Sequence, residues 1–241
     1  MKRLLLALQF LTVFPIHLPQ APAPGDLGRA AGWFPLVGGV IGVLTAGVYF
    51  GLSPIFPPLL AAALATAAWI GLSGGLHLDG LADCCDGLLN ASSRERRLEI
   101  MKDPRLGTFG GIGLCLAILL KVVGISSLPT GAFWVALPLA AATGRWLLLP
   151  AGRQPPARPG GMGADFSSGL NRAVWIPAAL TLGALTALAG WRGLAGVLAA
   201  HGIAWLVFTL ARSRLGGMSG DVLGLTVELA EIVVLLGFCV R

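Results

Sequence analysis

The sequence predicts an all-α, polytopic transmembrane helix bundle of about seven spans, with short extra helices at the N-terminus and at the cytoplasmic face. Hydrophobic residues make up 56% of the chain and charged ones only 12%, whereas soluble domains are about a quarter charged. Mean hydropathy is +0.82. The apolar residues fall in runs of about twenty, the length a helix needs to cross the hydrocarbon core. No soluble domain or long linker stands out, so residues 1–241 read as one integral membrane domain. Segments 74–113, 143–172 and 212–231 are expected to contribute to a site.

The chain opens MKRLLLALQFLTVFPI. Its apolar run, 4–14, is too short to span, so it lies at the interface or tucks into the bundle. No small-residue cleavage site follows, so a cleaved signal peptide is not expected. A Pro-rich connector, HLPQAPAPGD, leads to a first span over 31–52, where Gly38, Gly39, Gly42 and Gly47 suit close helix packing. A turn at 53–58 precedes a second span, 57–76, that runs on into an acidic helix. Further spans are expected over 108–128, 131–150, 173–189, 193–211 and 222–240, with a polar loop, GRQPPARPGGMGADFSSGLNR, after the fourth.

Loop charge gives the orientation. With the N-terminus inside, the cytoplasmic segments hold nearly all the Lys and Arg, and the outside keeps only Arg192 and Arg241. The polar loops and the site are therefore expected to face the cytoplasm. The net charge of +6 reflects this loop bias and does not point to nucleic acid. Cys84, Cys85, Cys115 and Cys239 show no disulfide spacing and are expected to be reduced thiols.

Six of the eleven acidic residues lie between Gly74 and Gly113. On a helix, Asp79, Asp83 and Asp86 stand at i, i+4 and i+7, within about 60° of one face. Like charges so placed repel unless a cation sits among them or some are protonated. Mg²⁺ is the natural partner, since it takes a few carboxylates and completes its octahedron with water and phosphate oxygens. Gly80 and Gly87 would let a phosphorylated ligand approach the backbone. A solvated acidic face is the competing reading, weakened by the rarity of acids in membrane chains. His77 falls on the far side of this helix and reads as structural. Ser92 and Glu95 form a capping box for a short basic helix starting at Ser93 and ending at Asp103-Pro104. Its Arg94, Arg96, Arg97 and Lys102, with Arg105 beyond, suit phosphate binding or a basic loop of the positive-inside kind.

A second acidic group opens the last span, GGMSGDVLGLTVELAE. Asp221 and Glu228 share a face, with Glu231 one step round. Glu228 and Glu231 lie inside the apolar span, where an unpaired charge costs roughly 2.5–3.5 kcal/mol. They either pair with Arg145 or Lys121, or face a polar cavity as a second wall of the site. The glycine-rich turns 160–163 and 216–220 are candidate phosphate cradles. Carboxylates, a divalent cation and basic residues at one face fit phosphoryl or phosphodiester transfer.

The run GGLHLDGLADCCDGL, followed by RERRLEIMKDPRLGTFG, resembles the signature of the cobalamin synthase family (adenosylcobinamide-GDP ribazoletransferase). ALQFLTVFPI, FPLVGGVIG, TGRW, GGMGADF and GGMSGDVLGLTVELAE extend the likeness over essentially the whole chain. The departures are Cys84-Cys85, where small Ser, Thr or Ala is usual, and Pro104, where Ser is common. The resemblance implies an Mg²⁺-dependent transferase of cobalamin biosynthesis. Its substrates would be adenosylcobinamide-GDP and α-ribazole or its 5′-phosphate, and its products adenosylcobalamin or its 5′-phosphate and GMP. It further implies Mg²⁺ on Asp79, Asp83 and Asp86; phosphates met by Lys102, Arg105 and Arg97; Asp103 or Asp221 as the base; and Glu228 completing the metal shell or holding the acceptor. The resemblance also implies a bacterial inner-membrane location, with membrane lipid and other enzymes of nucleotide-loop assembly as expected further partners. Two rival readings are a CDP-alcohol-type phosphotransferase, whose aspartate motif is only loosely similar, and a cation transporter built on Asp221, Glu228 and Glu231.

Overall fold

The computed structural model describes residues 1–18, 20–158 and 162–240. Helix α1 (Lys2–Leu11) is followed by α2 (Asp26–Ala30), which continues through a 3₁₀ turn into α3 (Phe34–Leu52). Then come α4 (Pro58–Ser73), α5 (Leu76–Leu88), α6 (Arg94–Ile100), α7 (Thr108–Ser126) and α8 (Phe133–Gly152). The last elements are α9 (Met162–Gly169), α10 (Arg172–Leu215) and α11 (Gly220–Cys239). Five elements are long and apolar enough to cross a membrane: Asp26–Leu52, α7, α8, α10 and α11; α4 and α5 taken together make a sixth. Helices α8 and α11 carry the core, with most of their residues buried.

Two glycine devices set the topology. The expected continuous run from the second span into the acidic helix breaks at Gly74-Gly75, where the axis turns by 93°. Both residues have positive φ, 63° and 68°, a conformation that β-carbons disfavour, and their N–H groups close the end of α4 on Gly71 and Ile70. Helix α5 therefore turns away from α4 and packs across the first turns of α7 and α11 at one end of the bundle. The second device is Gly190 (φ 63°, ψ −154°), inside α10. A straight helix of this length would be about twice as long as the hydrocarbon core is thick. The chain reverses instead, and both ends of α10 return to the 153–170 region. Arg153 donates to Leu170 O just before α10, and Ala157 and Met218 are joined by a backbone bond just after it. The fifth and sixth expected spans are the two arms of this hairpin.

The mid-membrane charges are paired. Lys121 on α7 lies 2.7 Å from Glu228 and also pairs with Glu231, which pairs in turn with Arg145 of α8. All four side chains are 5% exposed or less. The Trp69 ring stands 4.8 Å from the Lys121 ammonium, a cation–π contact strengthened by desolvation. Two positive and two negative charges cancel, which satisfies the requirement that hydrocarbon imposes on them. Glu228 is thus held by Lys121 within the core, and the buried pairing describes its position.

Removing one partner leaves an uncompensated charge. Lys121→Met should destabilise the detergent-solubilised protein by about 3–5 kcal/mol. The double variant Lys121→Met/Glu228→Gln restores neutrality and should recover most of that loss. Thermal unfolding of the three proteins in one detergent checks both statements.

Candidate active site

The site forms where α5 crosses the first turn of α11. Asp79, Asp83 and Asp86 share the partly exposed face of α5, while His77, Leu78, Gly80, Leu81 and Cys84 are buried. A β-carbon at Gly80 would stand 2.8 Å from the Asp221 carbonyl oxygen, and one at Gly224 would stand 2.9 Å from that of His77. These two glycines let α5 and α11 touch backbone to backbone, and so bring Asp221 beside Asp79 and Asp83. Gly80 is therefore closed by α11, and Gly87 by the Met101 side chain. Gly87 is thus not the open approach for a ligand that the sequence suggested, while Gly80 also borders the cavity beside Asp79 and Asp221.

Burial, and then the charges of Asp221, Asp79 and Asp86, push the Asp83 carboxyl up to about 6. Ser219 caps α11 through Val222 N and lies 3.3 Å from an Asp221 oxygen. Asp86 has a different task. Its two oxygens accept from Gly107 N at 2.8 Å and Gly110 N at 2.9 Å, placing a carboxylate at the positive N-terminus of α7. Asp79, Asp83 and Asp221 are in no salt bridge among the described residues.

The basic segment is more structural than its composition suggested. The cap of α6 is Ser93, whose hydroxyl accepts from Arg96 N, one residue beyond the expected Ser92. Arg97 donates twice to Asn90 O, at 3.1 and 2.9 Å. Arg94 donates to Ala157 O and Arg214 to Leu88 O, which ties α6, α5 and the end of α10 together. Lys102 is exposed. Asp103 grips Arg105 through both oxygens, at 2.9 and 2.6 Å. The Arg105 guanidinium holds its carboxyl down at about 2, which makes it a poor proton acceptor at neutral pH. Of the two base candidates, Asp221 is the one beside the acidic face. Asp165 accepts from Gly25 N at 2.7 Å, so it positions α2. Gly160 and Gly161, part of the expected phosphate cradle at 160–163, lie outside the described residues.

Asp79 and Asp221 border a cavity of about 260 Å³, walled in part by Phe10, Phe34, Leu148 and Phe166. The aromatic walls come from α1, α3 and α9. No periodic signal in the sequence marked them, because each is one apolar residue among many. As they stand, no three His, Cys, Asp or Glu side chains among the described residues form an ion cage. Mg²⁺ is commonly held by one or two carboxylates and substrate phosphates rather than by an all-protein cage. Mutually repelling, acceptor-only carboxylates fit such an ion.

Fold and site together define a polytopic membrane protein with an acidic, cavity-bordering centre at one end of its helix bundle. The profile of the family described as Cobalamin-5-phosphate synthase matches residues 3–239. A protein of Pseudomonas savastanoi pv. phaseolicola, named adenosylcobinamide-GDP ribazoletransferase, is 43% identical over 234 residues, covering 96% of each chain. Proteins of the same name from Pseudomonas aeruginosa (strain UCBPP-PA14) and Deinococcus radiodurans are 42% and 39% identical; they cover 98% of this chain and 97% and 85% of their own. No solved structure matches. The chain belongs to the cobalamin-5-phosphate synthase family, and it is an enzyme.

The site makes a prediction about stability. Asp83 takes up its proton more readily in the folded protein, about 6 against an ordinary 3.8. Its contribution is therefore present below pH 4 and is lost as pH rises through about 6. In metal-free protein, wild type should lose stability relative to Asp83→Asn over that window. Asp86→Ala should cost about 1 kcal/mol at every pH at which the cap is ionised. Melting curves in a pH series with EDTA check both.

Proposed function

We propose that this chain joins adenosylcobinamide-GDP to α-ribazole or its 5′-phosphate. The products would be adenosylcobalamin or its 5′-phosphate, and GMP. The family supports this reading, since the relatives carry that activity in their names. The structural observation that carries it is the convergence of Asp79, Asp83 and Asp221 with no salt-bridged countercharge among the described residues. A phosphate-bearing donor arriving with a divalent cation supplies that charge.

Asp79 and Asp83 would hold Mg²⁺, with Asp86 close by as the cap of α7. Bound there, the ion would neutralise charge on the donor's pyrophosphate. Asp221 is the base. It takes the proton of the attacking ribose hydroxyl as the new P–O bond forms at the phosphorus attached to the corrinoid's aminopropanol arm. The P–O bond to the GMP moiety breaks, and GMP leaves with the bridging oxygen. Lys102 is an exposed cation free to meet phosphate, and Arg105 is aligned by Asp103. Arg97 contributes indirectly, by fixing the loop at Asn90. The basic loops and the acidic site occupy the same end of the bundle, and the charge bias supports a cytoplasmic placement of that end. Of the three residues of the transporter alternative, Glu228 and Glu231 are paired with Lys121 and Arg145, which leaves Asp221 alone on that path.

Turnover in membranes carrying the protein tests the proposal. GMP release coupled to cobalamin product should require Mg²⁺, stop with EDTA, and fall by orders of magnitude in Asp83→Ala. Asp221→Asn should lose about 10²–10⁴-fold, while Asp103→Asn keeps most of the rate. Near-normal turnover by Asp83→Ala would remove the metal assignment. A loss in Asp103→Asn as large as in Asp221→Asn would move the base.

A further inference from the structure

The cavity beside Asp79 and Asp221 has a chemistry of its own. Phe10, Phe34 and Phe166 form a continuous near-parallel stack, with centroids 5.9 Å apart at both steps and interplanar angles of 19° and 14°. All three border the cavity, with Leu27 and Leu148. The buried polar side chain on its wall is His77, 4% exposed. Arg145 Nη2 lies 3.4 Å from His77 Nδ1. A guanidinium only donates, so Nδ1 is the acceptor and the neutral ring carries its proton on Nε2. No protein partner for that second nitrogen is found among the described residues.

These features select among the parts of the substrates. The cavity, about 260 Å³, is at the small end of the ~300–1,000 Å³ range of ligand pockets. A corrin ring or a nucleoside diphosphate does not fit within it. Guanine has polar edges nearly all round, which apolar walls would leave unsatisfied. A benzimidazole is flat and apolar apart from one ring-nitrogen acceptor, and it matches an aromatic wall with a single N–H donor. We propose that this cavity receives the heterocyclic base of the acceptor, with His77 Nε2–H facing its ring nitrogen. The attached ribose then lies at the rim beside Asp221. This assignment rests on the reading of the acceptor as a ribazole. It gives the N-terminal helix, through Phe10, a part in choosing that acceptor.

The experiment measures acceptor and donor KM separately, by GMP release from the full-length protein in membranes. The variants are Leu27→Trp, which fills the cavity, and Phe166→Leu, which thins its wall. In Leu27→Trp the acceptor KM should rise on the order of ten-fold or more, with the donor KM within about two-fold of wild type. Phe166→Leu should shift it the same way by less, so a fold defect in one variant leaves the other informative. For wild type, a riboside whose base lacks the ring nitrogen should be a markedly poorer acceptor than the benzimidazole riboside. An unchanged acceptor KM in both folded variants, or a rise confined to the donor, would overturn the assignment. Equilibrium dialysis of α-ribazole without donor separates this from the reaction itself. Binding lost in Leu27→Trp keeps the pocket even if wild type shows no transfer, and no binding to wild type rejects it.

Discussion

Hydrocarbon does not tolerate an unpaired charge, and the bundle is arranged around meeting that condition. Lys121, Glu228, Glu231 and Arg145 close a neutral cluster that joins α7, α11 and α8 at depth. Arg145 also reaches His77 on α5, so the same cluster extends to the back of the acidic helix. The pairing fixes the rotation of α11, and that rotation decides which way Asp221 faces. Structural electrostatics in the core and chemical electrostatics at the site are thus two ends of one helix.

The charged groups divide into those the fold satisfies and those it leaves for a ligand. Asp86, Asp103 and Asp165 are each bound to a backbone N–H or a guanidinium. Arg94, Arg97 and Arg214 are bound to carbonyl oxygens. Asp79 and Asp83 accept from no backbone N–H or guanidinium among the described residues, and Asp221 meets only the Ser219 hydroxyl; burial, and then the neighbouring carboxylates, push Asp83 up. A group kept unsatisfied in a well-packed fold marks where substrate charge is expected.

Some of this was legible in the chain and some was not. Run length and hydropathy gave the spans, because a membrane imposes one length on every crossing helix. The helical spacing of 79, 83 and 86 gave one shared face, since periodicity is local. Spacing did not separate Asp86 from its neighbours, because the donors it serves, Gly107 and Gly110, lie on another helix. It did not show that Asp103 is held in the Arg105 fork either, since that fork depends on loop conformation. The break at Gly74-Gly75 was hidden for a similar reason. The glycines were visible, but the 93° turn they make needs α5 to find a surface to lie on.

The sequence by itself determined the class and the family, because composition and motif are properties of consecutive residues. Its count of about seven spans differs from the five or six elements long and apolar enough to cross, because α4 alone is short and α10 is one hairpin-forming element. It also limited the intramembrane charges to a few outcomes, since hydrocarbon leaves few ways to accommodate them. Only the tertiary structure decided which carboxylates are paired and which are free, and that Phe10, Phe34 and Phe166, far apart in the chain, wall one cavity. Those outcomes depend on backbones meeting at Gly80 and Gly224 and on rings stacking across three helices. Contacts between distant segments leave no periodic mark in the segments that make them.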